Sequence, residues 1–113
     1  MGEFELIRRY FAAAPCAQGG AGVVLGIGDD CALLALPAGE QLVVSTDTLV
    51  AGVHFPDACD AFLLGQRALA VSASDLAAMG ATPLAFTLAL TLPSASETWL
   101  AEFARGLQLM AQN

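Results

Sequence analysis

The spacing of apolar positions changes several times along this chain, and each change marks an expected element. Between residues 3 and 13, Phe4, Ile7 and Phe11 recur at helical spacing while Arg8 and Arg9 turn away, which predicts a short helix. Pro15 ends it, and residues 18–22 form a glycine-rich loop. Val23-Val24-Leu25, residues 31–36 and residues 41–45 are apolar runs set apart by Gly26-Ile27-Gly28-Asp29-Asp30 and Pro37-Ala38-Gly39-Glu40, and they read as three strands joined by turns. Antiparallel neighbours exchange start and finish, so a hairpin over 31–45 brings the Asp30 end and the Asp47 end to one sheet edge. Residues 48–55 read as irregular or a short strand, closed by Pro56. Asp60 is suited to cap a long helix reaching Met79, with Gly80 as its C-terminal stop. Residues 83–92 are apolar without clean alternation, which predicts a strand covered on both faces. Ser94 or Ser96 caps a last helix to about Ala111, with Leu100, Phe103, Leu107 and Met110 on one stripe. The order α-β-β-β-α-β-α is that of an α+β layered domain.

Composition narrows the function classes. The chain has 113 residues, enough for one domain with a core, and 57 % of them are hydrophobic. That share exceeds the roughly 45–50 % of ordinary soluble domains, so either the core is large or apolar surface is buried against another subunit or domain. Eleven acids face four basic residues, all arginine, for a net charge of −7. No basic cluster exists to replace counterions on nucleic acid or to hold an anionic membrane. No apolar run reaches the ~18 residues of a membrane span. Glu3 and Glu5 stand where a signal peptide would carry basic charge. Cys16, Cys31 and Cys59 are odd in number and widely spaced, which fits free or buried thiols in a reducing cytoplasm better than zinc or a disulfide framework.

The chemistry concentrates in carboxylates and hydroxyls. Gly26-Ile27-Gly28-Asp29-Asp30 lacks the third glycine and following helix of a dinucleotide fingerprint, and the Lys-Ser/Thr ending of a P-loop. It reads either as a tight turn in which an Asp caps its own backbone or as a source of one metal-facing acid. Two adjacent acids repel unless solvated or neutralised, so Asp29 and Asp30 are expected to point apart. Ser45-Thr46-Asp47-Thr48 flanks one acid with three hydroxyls, either an ordinary polar strand end or a cation site. Asp75 lies in an Ala-rich helix whose one base, Arg67, is two turns away, so it either faces solvent or takes a cation as partner. Together these oxygens suit a hard divalent ion such as Mg²⁺, and an acidic protein needs such an ion to handle a phosphate substrate. His54, the single histidine, is either a surface residue or a hydrogen-bond donor to an oxyanion. No nucleophilic triad can be assembled. Trp99 reads as packing.

Four ordered segments carry a resemblance: Gly2-Glu3-Phe4-Glu5-Leu6-Ile7, Gly26-Ile27-Gly28-Asp29-Asp30-Cys31-Ala32, Ser45-Thr46-Asp47-Thr48-Leu49-Val50-Ala51-Gly52-Val53-His54-Phe55 and Ser74-Asp75-Leu76-Ala77-Ala78-Met79-Gly80-Ala81. Together they resemble the thiamine-monophosphate kinases, of the superfamily of aminoimidazole ribonucleotide synthetase and selenophosphate synthetase. The resemblance implies transfer of the ATP γ-phosphoryl to thiamine phosphate, giving thiamine diphosphate. It implies that Asp30, Ser45, Thr46, Asp47 and Asp75 match Mg²⁺ ligands, several ions being bound, and that His54 matches a position near the thiamine phosphate. It also implies a four-stranded, mostly antiparallel sheet with helices on one face, the sheets of two subunits forming a shared barrel in a cytoplasmic homodimer. Residues 1–113 would then be the N-terminal ATP/Mg-binding and dimerisation domain, with the main ATP segment and a C-terminal domain beyond Asn113, and this portion alone inactive or nearly so. Phosphoryl transfer needs positioning and charge neutralisation more than covalent work, and an already ionised acceptor needs no strong base, so the scarcity of His and Lys is no obstacle. Two rivals stand beside this reading: a superfamily member with another substrate, and a non-catalytic dimerisation or metal-binding module.

Overall fold

A computed structural model describes residues 2–94 and 96–112. Met1 and Asn113, the bounds of the expected domain, lie outside the described residues. Helix α1 (Glu3–Leu6) continues into a wider π-type stretch, Ile7–Ala12, and then a 3₁₀ turn, Pro15–Ala17. Strands β1 (Val23–Leu25) and β2 (Leu33–Leu34) pair antiparallel, Val23 opposite Leu34 and Leu25 opposite Leu33, with an irregularity between. Helices α2 (Ala61–Ala78) and α3 (Glu97–Ala111) complete the order.

The helices begin where side-chain chemistry lets them. The Asp60 carboxylate accepts from Leu63 N–H and the Ser96 hydroxyl from Trp99 N–H, each satisfying a donor that the first turn leaves open. Ser96 therefore caps α3. Gly80, at φ +69°, takes the left-handed conformation that ends α2. Every buried residue among those described lies on these two helices. Leu64 of α2 packs with Phe103 and Leu107 of α3, and Leu100 is fully enclosed. Trp99 stacks on Phe103 at 4.8 Å between ring centres, and Phe11 meets the same ring edge-on at 6.5 Å. Where the helices cross, Gly65 faces Gly106. A Cβ on Gly65 would collide with the Phe103 carbonyl, and one on Gly106 with the Phe62 carbonyl. The two backbones approach this closely because both positions lack a side chain.

The N-terminal segment docks on α3 through polar contacts. Arg9 bridges Glu5 at 2.7 Å and Glu97 at 2.6 Å, and the Tyr10 hydroxyl donates to the same Glu97 oxygen at 3.1 Å. The Tyr10 hydroxyl, then the Glu5 carboxylate, raise the Arg9 pKa further above its ordinary value. Gln108 Oε1 accepts from Cys16 N–H at 2.6 Å.

The sheet among the described residues is antiparallel, as expected, and smaller. Four strands are expected, and two form among the described residues. The Pro37 turn is made, with Glu40 N–H donating to the Pro37 carbonyl at 3.3 Å, yet among the described residues neither 41–49 nor 82–94 makes a backbone–backbone hydrogen bond. Leu42, Val43, Val44, Phe86 and Leu88 are exposed. An apolar run marks a segment that can be buried, but a strand also needs a partner ladder, and these two runs meet none among the described residues. The double coverage expected for 83–92 is likewise not supplied by this chain's own layers.

Candidate functional site

The segment holding Ser45 and Asp47 lies along the C-terminal half of α2. Ser45 Oγ donates to Asp75 Oδ2 at 3.3 Å, and Ser72 Oγ donates to Asp47 Oδ2 at 3.4 Å. Ser72 and Asp75 are three residues apart on α2, so they share one face about a turn apart. The result is a reciprocal clasp, one hydroxyl and one carboxylate from each side. Both bonds are long for O–H···O, so they orient the groups more than they bind them. Residues 41–49 make no backbone–backbone bonds. Among the described residues, the clasp is the hydrogen-bonded contact between this segment and the helix.

Asp47 and Asp75, far apart in sequence, are thus brought together with Ser45. Ser72 was not singled out from the sequence; its position three residues before Asp75 was the available signal. Asp30 and Thr46 do not join the clasp. Asp29 Oδ1 accepts from Asp30 N–H at 2.8 Å, so Asp29 caps the turn, and Asp30 is exposed. Gly28, at φ +124°, makes that turn possible. No carboxylate of this set forms an ion pair with an arginine among the described residues; the three ion pairs all use Arg9 or Arg105. Nor do three or more His, Cys, Asp or Glu side chains converge to metal-binding distance among the described residues. The donor chemistry fits a hard cation, because Asp47 and Asp75 are oxygen donors that neither arginine nor lysine neutralises.

His54 sits in a turn closed by its own backbone. Val53 N–H and His54 N–H donate to the Val50 carbonyl at 3.1 and 2.9 Å, and Gly52 N–H donates to the Phe55 carbonyl at 2.7 Å. Gly52, at φ +78°, supplies the left-handed position the turn requires, and the Asp57 carboxylate lies 3.5 Å from where a Cβ would stand. His54 Nδ1 accepts from Val50 N–H at 2.9 Å.

Other features lie away from these residues. A cleft of about 340 Å³ between the N-terminal segment and α3 is lined by Arg9, Tyr10, Arg105 and Gln108 among others. Both arginines there are already paired, Arg105 with Glu102 at 2.7 Å while its guanidinium lies over the Phe62 ring. Cys16, Cys31 and Cys59 are free thiols, and partial burial pushes the Cys16 thiol above its ordinary pKa. No helix among the described residues is long and apolar enough to cross a membrane.

Comparison with known proteins places this geometry in a family. The chain is 55 % identical over 106 residues to the thiamine-monophosphate kinase of Escherichia coli K12, covering 94 % of this chain and 32 % of that protein. The thiamine-monophosphate kinase of Haemophilus influenzae is 46 % identical over 107 residues, 95 % of this chain and 32 % of its own length. That of Methanocaldococcus jannaschii is 38 % identical over 87 residues, 75 % and 27 %. The chain spans about a third of the length of these curated relatives. Residues 28–113 match the family model for the AIR synthase related protein, N-terminal domain. That match covers both carboxylates of the clasp and the histidine turn, and by it the chain belongs to the AIR synthase related family as an N-terminal domain.

Proposed function

We propose that this chain is the N-terminal part of an ATP-dependent kinase that converts thiamine phosphate to thiamine diphosphate. The observation that carries the reading is the 55 % identity to a thiamine-monophosphate kinase across 94 % of the chain. The clasp supports it, since two unneutralised carboxylates held beside serine hydroxyls are what a site for magnesium-bound polyphosphate needs.

In this reading Asp30, Ser45, Thr46, Asp47 and Asp75 hold Mg²⁺, which when bound screens the charge of two anionic substrates. The chain's own contribution is positional. Ser72 and Ser45 set the carboxylates of Asp47 and Asp75 at a fixed spacing, and His54 offers a donor toward the thiamine phosphate. The acceptor phosphate is already ionised, so no side chain has to remove a proton from it. Further ATP contacts and a C-terminal domain are assigned to the rest of the protein, and the isolated portion is expected to be nearly inactive.

The same proposal includes a cytoplasmic homodimer. Val44 is 73 % exposed and Leu42 51 %, beside the equally unpaired 82–94 segment, and a second copy would give both runs the ladder and cover they lack. The expected four-stranded sheet and shared barrel would then form only on pairing. A second reading keeps the family and changes the substrate, because the family model is named for AIR synthase.

The test is turnover by the full-length protein with ATP, Mg²⁺ and thiamine phosphate, against the substrates of the purine-pathway and selenophosphate synthetases. Thiamine diphosphate should form, and Asp47→Asn should lower kcat/KM by about 10²–10³-fold, the scale of losing one charge-stabilising group. Turnover of another substrate and none of thiamine phosphate would transfer the assignment to that branch.

A further inference from the structure

The turn over residues 50–55 determines which nitrogen of His54 carries its proton. We propose that this turn locks His54 as the Nε2–H tautomer, so that the imidazole serves as a one-proton donor to an anionic oxygen and cannot act as a base through Nδ1. The argument begins with Val50 N–H, which donates to Nδ1 at 2.9 Å. A nitrogen accepting a backbone N–H has its lone pair in that bond, so in neutral imidazole the proton resides on the other nitrogen. Three backbone hydrogen bonds close the same turn: Gly52 N–H to Phe55, and Val53 and His54 N–H to Val50. Gly52 holds the left-handed φ of +78° that lets the chain reverse within it. The ring is therefore fixed by an ordered backbone and not by a passing side-chain contact.

The remainder of the imidazole is exposed, and no protein partner is recorded for Nε2 among the described residues. An outward Nε2–H is a neutral donor: it can bind a phosphoryl oxygen without adding charge to the site. The charged group packed against the turn is Asp57, whose carboxylate lies 3.5 Å from where a Cβ on Gly52 would stand. Protonation of Nδ1 would set two donors against each other and open the turn. The tautomer lock stands on this geometry alone; the donor role rests on the phosphoryl-transfer reading above.

Two measurements on the full-length protein separate those parts. The first is a proton–nitrogen correlation spectrum of the neutral imidazole, with the His54 signal assigned by its loss in His54→Asn. The expected pattern has a protonated Nε2 and a bare Nδ1. A protonated Nδ1 overturns the proposal and leaves the kinase reading intact. The second compares variants. The Asn side-chain oxygen sits near where Nδ1 was and can still accept from Val50 N–H, whereas Ala cannot. Hydrogen exchange at Val50 should therefore stay slow in His54→Asn and quicken about tenfold in His54→Ala. With the turn intact, His54→Asn should still raise KM for thiamine phosphate about tenfold through loss of the outward donor. An unchanged KM overturns the donor role. If the unaltered protein does not turn over thiamine phosphate at all, the kinase reading fails while the spectrum still decides the tautomer.

Discussion

Two regions of this molecule share an apolar composition and have opposite fates. The α2–α3 pair encloses its apolar side chains, down to 0 % exposure at Leu100. The segments around Val24, Val44 and Phe86 leave theirs open, with Val44 at 73 %. Composition does not separate them. The helices satisfy their backbone internally and need only one complementary face, which each finds in the other. Extended segments satisfy their backbone through neighbours and still need a layer over their side chains; among the described residues a ladder forms only between β1 and β2, and even there Val24, Leu33 and Leu34 stay exposed. The comparison teaches that contacts among the described residues account for the helix pair and leave the remaining apolar surface uncovered.

Three substitutions test that division, in descending order of effect. Leu100→Ala removes a fully enclosed side chain and should cost about 2–5 kcal/mol in denaturant unfolding, the range for cavities in packed cores. A cost below about 1 kcal/mol would mean that the helix pair is not the stabilising core. Gly106→Ala places a methyl against the Phe62 carbonyl and should cost about 1–3 kcal/mol, since the helices must move apart to admit it. Val44→Ala sharpens the contrast from the other side. In the monomer it should change stability by less than about 0.5 kcal/mol, as expected of an exposed position. If sedimentation shows a dimer, the same change should weaken association, and an unaffected dimer would remove this segment from the interface.

The sequence announced the helices well because their signals are local. Asp60 and Ser96 cap as their residue types require, Gly80 stops α2, and the Leu100, Phe103 and Leu107 stripe is the buried face. The strands were harder to read. Residues 41–45 have the apolarity of a strand, but pairing is a relation between distant segments, and nothing local states whether the partner lies in the same chain. The site divided along the same line. The acids of Asp47 and Asp75 stood out as residue types, and their approach followed from the chain's path. Ser72 stayed hidden because a serine inside an alanine-rich helix looks like a neutral choice until the segment carrying Asp47 is laid against it. At Asp29 and Asp30 the sequence offered two roles for one turn, and the backbone contact to Asp29 shows which residue caps it.

The glycine crossing bears on placement far from itself. Asp75 follows Gly65 by ten positions, about 15 Å farther along the helix axis at 1.5 Å per residue. With main chain resting on main chain at the pivot, no side chain there can change rotamer to let the rods tilt. A tilt of about 5° at that fulcrum would sweep the distant carboxylate through roughly 1.3 Å, enough to break its 3.3 Å contact with Ser45. Two residues with no side chain thus set the aim of a long lever.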